Sequence, residues 1–340
     1  MIALRERVAN LIELGTYLNN LNENEIIQIF NQAENENPWF TQGNISKAII
    51  AIRDELLNQK SLQLLIDTYK LDDNISPKKI GLILAGNIPL VGFHDVLCCY
   101  LTGHISLIKY SDKDKTLMQF MIKKLIEINI NNGFYFNQVA KLEDYDAAIV
   151  TGSNSTAKHF EYYFKHVPHI IRKNRNSIAI ISGNETDIEL QALGNDVFSY
   201  FGLGCRNVSM LFVPKDYDIT RLFVVFDNFK DIIFHNKYKN NYDYNVALML
   251  LNKEIFLHND MLILRESDQI ISRIGSLHYQ KYDNINSLTT WIDDHNDEIQ
   301  CIVSNTQIDG VTTIPFGNSQ CPSILTYADG VDTVQFLLSN

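Results

Sequence analysis

The sequence has no surplus of basic residues and no long apolar run. Its 340 residues include 40 acidic and 29 basic side chains, which gives a formal net charge of −11. Binding to nucleic acid needs a basic face that neutralises phosphates, so the composition argues against a general nucleic-acid-binding protein. The most apolar stretch, 80–93, is interrupted by Asn87 and Pro89. Because no segment of about 20 apolar residues exists, we expect no membrane span.

Cysteine is scarce and is not spaced for metal binding. The cysteines are Cys98, Cys99, Cys205, Cys301 and Cys321. Their odd number and spacing indicate reduced thiols, and the charged, helix-periodic N-terminus lacks a secretory apolar core, so we expect a cytoplasmic protein. His159, His166 and His169 do not share one helix face, because Pro168 interrupts them. The sequence therefore predicts no metal site.

The pattern of apolar residues predicts an α/β protein with more than one domain. A chain of this length with 46% hydrophobic residues can form two packed cores. Apolar residues recur every three or four positions within 1–75, which predicts helices. From Lys79 onward, short apolar runs alternate with amphipathic stretches, which predicts βαβ units and a parallel sheet. The expected strands are 80–85, 105–110, 146–150, 177–181, 209–213, 261–264 and 300–303.

One cysteine lies in a setting that suits a nucleophile. Cys205 follows the glycines Gly202 and Gly204 and precedes a predicted buried strand. A thiol on such a loop is accessible to a substrate, and nearby backbone N–H groups and Arg206 could stabilise its thiolate. The alternative is a small buried hydrophobic residue, which is the common role of a cysteine outside disulfides.

Polar residues follow other predicted strands. Asn87 comes after strand 80–85, where side chains of open α/β sheets bind ligands, although an Asx turn would also explain it. Lys109 ends the next strand and is followed by Ser111 and Asp112. These three could contact a ribose or a phosphate, or could form a solvated strand end.

A third polar turn precedes a predicted helix. The sequence Thr151-Gly152-Ser153 could hold a pyrophosphate at the helix N-terminus, or could simply cap the helix. No GxGxxG motif is present.

Six motifs together resemble one family. They are AGNIPLVGFHDVL, LTGHISLIKYS, IVTGSNST, RKNRNSIAIISG, FGLGCRNVSMLFVP and the terminal PFGNSQCPS with YADGVD. In this order they resemble the acyl-CoA reductases of the bioluminescence fatty acid reductase (LuxC) type, a branch of the aldehyde dehydrogenase superfamily. The resemblance implies two Rossmann-like parallel-sheet domains with an N-terminal helical segment. The expected boundaries are 1–75 for that segment, 76–184 for the NAD(P)-binding domain, 185–315 for the catalytic domain and 316–340 for a C-terminal segment that packs on the cofactor domain.

The resemblance also implies roles for individual residues. The matching positions are Cys205 for the catalytic cysteine, Asn87 for the side-chain donor of the oxyanion hole, Lys109 and Ser111 for the adenosine ribose, and Gly152 with Ser153 for the pyrophosphate. Asp112 beside the ribose site would repel a 2′-phosphate, whereas Lys113 and Lys115 could offset this repulsion. We therefore expect NADPH as the cofactor by a narrow margin, with NADH as the alternative.

One departure from the superfamily pattern bears on the reaction. Hydrolytic aldehyde dehydrogenases carry a water-activating glutamate about where Arg172 stands in this chain. Without that base, an acyl group on Cys205 should accept hydride or exchange with a thiol. The expected activity is NAD(P)H-dependent reduction of an acyl-CoA, or another acyl thioester, to an aldehyde.

Two alternatives stay open, and the resemblance adds expectations about partners. The alternatives are an acyltransferase that uses Cys205 without reduction, and a non-catalytic scaffold subunit of an acyl-activating complex. The expected partners are acyl-CoA or an acyl-carrier thioester, an acyl-activating or acyl-transferring protein, and further copies of the same chain.

Overall fold

The computed structural model describes residues 1–73, 76–152 and 154–340, which form two compact units. The first unit comprises Met1–Asn174 and Pro322–Asn340, and the second comprises Arg175–Cys321. The chain changes unit after Asn174, earlier than the expected boundary after residue 184, because the strand Asn176–Ile180 pairs within the second unit.

The N-terminal part of the first unit is helical. Its helices are α1 (Leu4–Asn19), α2 (Glu23–Glu36), α3 (Gln42–Ala51), which continues into a π-helical turn (Ile52–Leu56), and α4 (Gln59–Tyr69). The side chains of Asn22, Thr41 and Asn58 each accept the N–H three residues further on and thereby start α2, α3 and α4. Leu11 and Leu14 are fully buried in the hydrophobic core that also contains the sheet residues of this unit. The helices therefore share the core of the first unit.

The sheet of the first unit is entirely parallel. Its elements, in chain order, are β1 (Lys79–Ile83), α5 (Phe93–Leu101), β2 (Ile105–Lys109), α6 (Lys115–Ile128), β3 (Phe136–Gln138), β4 (Ala147–Thr151), α7 (Asn154–Phe164) and β5 (His169–Arg172), with a C-terminal helix (Thr333–Ser339). The strand order is β3-β2-β1-β4-β5. The chain therefore reverses direction across the sheet between β1 and β4, and ligands of open α/β sheets bind at the carboxyl ends of the strands at such a point.

The second unit contains a six-stranded sheet. Its elements are β6 (Asn176–Ile180), α8 (Asp187–Phe198), β7 (Val208–Pro214), α9 (Arg221–Val225), α10 (Asn236–Leu251), β8 (Leu257–His258), β9 (Ile263–Glu266), β10 (Ser276–Tyr282), α11 (Asn286–Asp294) and β11 (Ile299–Val303). The strand order is β11-β6-β7-β10-β9-β8. The expectation of a parallel sheet needs one correction, because the edge strand β8 is antiparallel to β9. The connection 259–262 is too short for the crossover that a parallel pair requires.

Four strands are absent from the sequence-based prediction. Three are the short β3, β5 and β8, and the fourth is β10, which lies between β7 and β9 in the second sheet. The sequence of β10, SLHYQKY, lacks the apolar run that marks a buried strand. His278 is nevertheless 3% exposed there, and its ring Nδ1 lies 2.7 Å from the Gln269 carbonyl oxygen. Burial lowers the pKa of His278, which favours the neutral ring.

Across the described ranges, no helix combines the length and the apolar character needed to cross a membrane.

Candidate active site

The predicted oxyanion-hole residue Asn87 and the predicted cofactor residues of the first unit lie along one edge of its sheet. At or just beyond the carboxyl ends of β1, β2 and β4 are Asn87, Lys109, Ser111, Asp112 and Gly152. The register places Ile83 beside Lys109 on one side and beside Val150 on the other. The three strand ends are therefore adjacent. Ser153, the remaining predicted cofactor residue, lies outside the described residues.

A groove with a volume of about 250 Å³ opens beside Lys109. Its lining residues are Ile83, Lys109, Lys141, Leu142, His159, Phe160, Tyr163 and Phe164. The walls are largely apolar and aromatic, and two lysine side chains contribute positive charge. Such a groove suits a planar aromatic ring that carries an anionic group nearby.

Two glycines allow the loops at this edge to approach their neighbours. A Cβ atom at Gly86 would lie 2.7 Å from the Cβ of Ser111. A Cβ atom at Gly152 would lie 2.9 Å from Cε2 of Phe160 on α7. Both separations are shorter than packed side chains tolerate, so a larger residue at either position would displace the Ser111 loop or the helix.

The loop that carries Asn87 is anchored by a buried carboxyl group. Asp114 is 2% exposed, and its Oδ2 accepts a hydrogen bond of 2.7 Å from the N–H of Leu90. Leu90 has a φ of 58°, so this bond holds a strained residue three positions after Asn87. The other oxygen, Oδ1, is buried and has no hydrogen-bond partner among the described residues. Burial, with a contribution from Glu36, raises the pKa of Asp114 well above the ordinary value for aspartate.

Arg172, which stands where the resemblance places a glutamate, forms a buried ion pair. It ends β5, and its Nη2 donates to Asp95 Oδ1 at 2.7 Å and to Thr333 Oγ1 at 2.8 Å. The two charged side chains are 8% and 6% exposed. The pair connects β5 with α5 and with the C-terminal helix. Position 172 therefore holds a guanidinium group that is hydrogen-bonded to Asp95 and Thr333, and a cation cannot act as a base toward water.

The YADGVD motif fixes the C-terminal segment within the first unit. The hydroxyl of Tyr327 donates to that of Tyr69 at 2.9 Å, and Tyr69 donates to Asp332 at 2.7 Å. Asp332 also caps the C-terminal helix by accepting the N–H of Gln335. Burial raises the pKa of Tyr69 to about 12, so this tyrosine remains a hydrogen-bond donor at neutral pH.

In the second unit, Cys205 lies on a loop with unusual backbone geometry. The three residues Tyr200, Phe201 and Gly202 have φ values of 52°, 59° and 75°. Such a conformation costs about 1–3 kcal/mol for each residue other than glycine, so surrounding contacts must hold it. The Cys205 side chain is half-buried, and β7 begins three residues later.

A serine and a second thiol lie against the Cys205 peptide. The Ser177 hydroxyl is 3.0 Å from the Cys205 carbonyl oxygen and 3.0 Å from Cys301 Sγ. Because the carbonyl oxygen only accepts, Ser177 donates to it, and the Cys301 S–H donates to Ser177 Oγ. Burial raises the pKa of Cys301, which keeps this thiol protonated. Arg206 interacts with the Cys301 thiol and partly offsets the effect of its burial.

The PFGNS motif meets the end of α8, shortly before the Cys205 loop. Asp196, fully buried on α8, accepts the N–H of Gly317 at 2.6 Å and the N–H of Ser319 at 3.0 Å. The PFGNS motif and helix α8, which are more than a hundred residues apart in sequence, are therefore connected through one carboxyl group. Burial raises the pKa of Asp196, and the two N–H donors oppose that effect.

Among the histidines, His94 and His169 contact backbone carbonyl groups, and His159 lines the groove. His94 Nε2 lies 2.9 Å from the Ile324 carbonyl oxygen, and His169 Nδ1 lies 2.9 Å from the Val167 carbonyl oxygen. His159 lines the groove beside Lys109. In the part of the chain that the structure describes, no three His, Cys, Asp or Glu side chains are grouped so that they could hold a metal ion.

Sequence reasoning misses several of the residues that shape the site. Asp114 lies outside the six motifs, and Ser177 and Asn207 lie within motifs but are assigned no role by them. Their roles come from hydrogen bonds to loops. Of the three, only Asn207 could be suspected from the sequence, because it lies two positions after Cys205.

Comparison with known proteins identifies the fold. No protein-family model matches the chain, and no curated protein matches it by sequence. Aldehyde dehydrogenase 21 from Physcomitrella patens, solved with the reaction product succinate, matches with a TM-score of 0.68 at 13% identity, covering 100% of this chain and 84% of its own. The NAD+ complex of an aldehyde dehydrogenase from Bacillus cereus matches with a TM-score of 0.64 at 14% identity, covering 91% and 73% of the two chains.

A third structure binds the phosphorylated cofactor. The NADP-dependent glyceraldehyde-3-phosphate dehydrogenase from Bacillus halodurans C-125, complexed with NADP, matches with a TM-score of 0.61 at 14% identity, covering 91% of this chain and 80% of its own. The chain therefore has the aldehyde dehydrogenase fold, and the predicted fold class is confirmed.

Removal of the buried cation should destabilise the first unit. We expect Arg172→Ala to lower the free energy of unfolding by about 3–5 kcal/mol, because Asp95 would remain buried without its counter-ion. Urea denaturation measures this loss. Lys230→Ala, which breaks the exposed pair with Asp227, is the control and should cost no more than about 1 kcal/mol. A loss as small as the control would show that the buried pair does not support the fold.

The buried carboxyl group should make stability depend on pH. Because the folded state raises the pKa of Asp114, folding retains a proton that the unfolded chain releases, and this contribution is lost as pH rises toward the folded pKa. Asp114→Asn keeps an acceptor for the Leu90 N–H but cannot ionise. Thermal unfolding from about pH 4 to about pH 8 should show a growing advantage for the asparagine variant. A variant that is less stable than the wild type at neutral pH would refute this assignment.

Proposed function

We propose that the protein is an NAD(P)H-dependent reductase that converts an acyl-CoA, or another acyl thioester, to an aldehyde through an acyl-Cys205 intermediate. The aldehyde dehydrogenase fold supports redox chemistry at an aldehyde or acyl carbon. The observation that supports reduction of an acyl thioester over its hydrolysis is the buried ion pair between Arg172 and Asp95. It leaves no base at the position where hydrolytic relatives activate water, so the acyl group has to leave by another route.

The first half of the proposed reaction transfers the acyl group to the protein. The Cys205 thiolate attacks the thioester carbonyl carbon and forms a new C–S bond. Negative charge develops on the carbonyl oxygen, and the Asn87 amide and the Cys205 N–H donate to it in the roles that the resemblance implies. Collapse of this tetrahedral intermediate breaks the original C–S bond and expels the CoA thiolate.

The second half needs a reductant, and residues of the first unit fit one. The groove beside Lys109 has aromatic and apolar walls that suit an adenine ring, and Lys109 with Ser111 would hold the adjoining ribose. Gly152, whose missing side chain lets the strand end approach α7, and Ser153 would lie beside the pyrophosphate. When bound, a nicotinamide cofactor supplies the hydride that reduces the acyl group.

The same donors serve the end of the reaction. The reduced acyl group is a thiohemiacetal oxyanion on Cys205, again stabilised by Asn87 and the Cys205 N–H. Its collapse breaks the bond to sulfur, releases the aldehyde and restores the thiolate.

The choice of cofactor depends on charges next to Ser111. Asp112 is exposed there and disfavours a 2′-phosphate, whereas the exposed Lys113 and Lys115 favour it. We propose NADPH with NADH as the alternative. We further propose, from the resemblance, that the chain acts as a homo-oligomer and receives its acyl group from CoA or an acyl carrier.

The reaction can be followed through both of its products. Purified protein given a panel of acyl-CoAs and NADPH or NADH should oxidise the cofactor and release free CoA, and Cys205→Ala should abolish both signals because acylation is lost. Cys321→Ala, which removes an exposed thiol of the same unit, is the matched control and should retain turnover. Release of CoA without cofactor oxidation would instead favour an acyltransferase. Absence of both signals with every donor would favour a non-catalytic scaffold.

Loss of the Asn87 side chain should lower kcat without weakening cofactor binding. We expect Asn87→Ala to lower kcat by about 10²–10³, because one transition-state hydrogen bond is lost, with little change in the KM for the cofactor. Steady-state kinetics at saturating acyl-CoA measures this effect. Asn20→Ala, at an exposed asparagine of the same unit, should leave kcat unchanged. An Asn87→Ala variant with wild-type kcat would remove Asn87 from the oxyanion hole.

A further inference from the structure

The Asn207 side chain connects the end of α8 to the Cys205 loop. It is 1% exposed, and its Nδ2 donates to the carbonyl oxygens of Ser199 at 2.8 Å, Asp196 at 3.0 Å and Val197 at 3.4 Å. Its Oδ1 accepts the N–H of Gly204 at 2.8 Å. Acceptors lie at one end of the amide and a donor lies at the other, so the side chain fits in one orientation only.

The backbone of Asn207 completes the contact with Gly204. The Asn207 N–H donates to the Gly204 carbonyl oxygen at 3.0 Å, so one residue holds both the N–H and the C=O of Gly204. That carbonyl belongs to the same planar peptide unit as the N–H of Cys205, and in a trans peptide the two groups point in opposite directions. Fixing the Gly204 carbonyl therefore fixes the direction of the Cys205 N–H. A hydrogen bond to the carbonyl also polarises the peptide and strengthens its N–H as a donor.

The preceding backbone explains why such a contact is needed. Tyr200, Phe201 and Gly202 are all left-handed, and two of them are aromatic residues that rarely adopt this conformation. Asn207 binds the Ser199 carbonyl before these residues and Gly204 after them. It therefore spans the strained segment from both sides.

We propose that Asn207 is the positioning residue that directs the Cys205 N–H toward the oxyanion. It acts through the Gly204–Cys205 peptide and does not touch the reacting atoms. The inference rests on the proposed function, because this N–H serves as an oxyanion donor only if Cys205 forms a tetrahedral intermediate.

Two reactions of the same thiol test the proposal. Acylation of Cys205 by an acyl-CoA passes through an oxyanion, whereas alkylation by iodoacetamide is a displacement at a saturated carbon and forms none. In Asn207→Ala the backbone N–H of residue 207 remains, but the side-chain bonds to the Gly204 N–H and the Ser199 carbonyl are lost, so the strained loop no longer holds the Gly204–Cys205 peptide in place. We expect the acylation rate to fall by about 10²-fold, because the Cys205 N–H loses its direction toward the oxyanion. Alkylation of Cys205 should stay close to the wild-type rate. Rapid-quench mass spectrometry of the Cys205 peptide measures both.

A buried asparagine elsewhere in the same unit gives the matched control. Asn245 is 3% exposed, and its Nδ2 donates to the Ile274 carbonyl oxygen at 2.9 Å. Asn245→Ala should lose stability but keep both rates. If Asn207→Ala does not fold, Asn207→Ser, whose hydroxyl can replace one bond, should show the same split between acylation and alkylation.

The remaining outcomes contradict the proposal in distinguishable ways. Wild-type acylation by a folded Asn207 variant would overturn the role of Asn207 while leaving the proposed function intact. An equal fall in both rates would show that Asn207 places the thiol rather than the donor, and would also overturn it. A wild-type protein that is alkylated at Cys205 but never acylated would refute the proposed function, and the inference with it.

Discussion

The first unit depends on one buried ion pair, between Arg172 and Asp95. Removing two charges from water is costly, and a short contact with further hydrogen bonds offsets part of that cost. Here Arg172 reaches both Asp95 and Thr333, so the end of β5, helix α5 and the C-terminal helix are held at one point. Helix α5 directly follows the loop of Asn87, the proposed oxyanion donor.

A related arrangement recurs in three loops. Asp114 holds Leu90 in the Asn87 loop, Asn207 holds Gly204 in the cysteine loop, and Asp196 holds the PFGNS segment. In each case a buried polar side chain accepts a hydrogen bond from a backbone N–H of the loop. A buried polar group without partners would be costly, so each loop has one strongly favoured conformation. Loops fixed in this way can present donors with little reorganisation during a reaction.

Much of the fold could be predicted from the sequence, because its strands are short apolar runs separated by helical periods. β1, β2, β4, β6 and β7 were expected close to where they occur. β10 could not be predicted, because its buried His278 is satisfied by a carbonyl that only the folded chain supplies. The antiparallel β8 depends on a short connection, and a strand of only two residues, Leu257–His258, gives no pattern from which pairing could be predicted. The site positions came from motif order, whereas the roles of Asp114 and of the ion partner of Arg172 depend on contacts between residues distant in sequence. The contacts of Asn207 are close in sequence but depend on the left-handed turn at 200–202, which the sequence pattern does not reveal.

In the proposed reaction, an acyl group on Cys205 leaves as an aldehyde and not as an acid. Trapping the acyl-enzyme with an acyl-CoA in ¹⁸O-labelled water, first without cofactor and then with NADPH or NADH, distinguishes these two products. We expect a long-lived acyl adduct on the Cys205 peptide, no labelled carboxylic acid, and one aldehyde released per adduct when the cofactor is added. Labelled acid that forms at a rate comparable with aldehyde formation would contradict the proposed reaction, since water would then be activated in spite of Arg172.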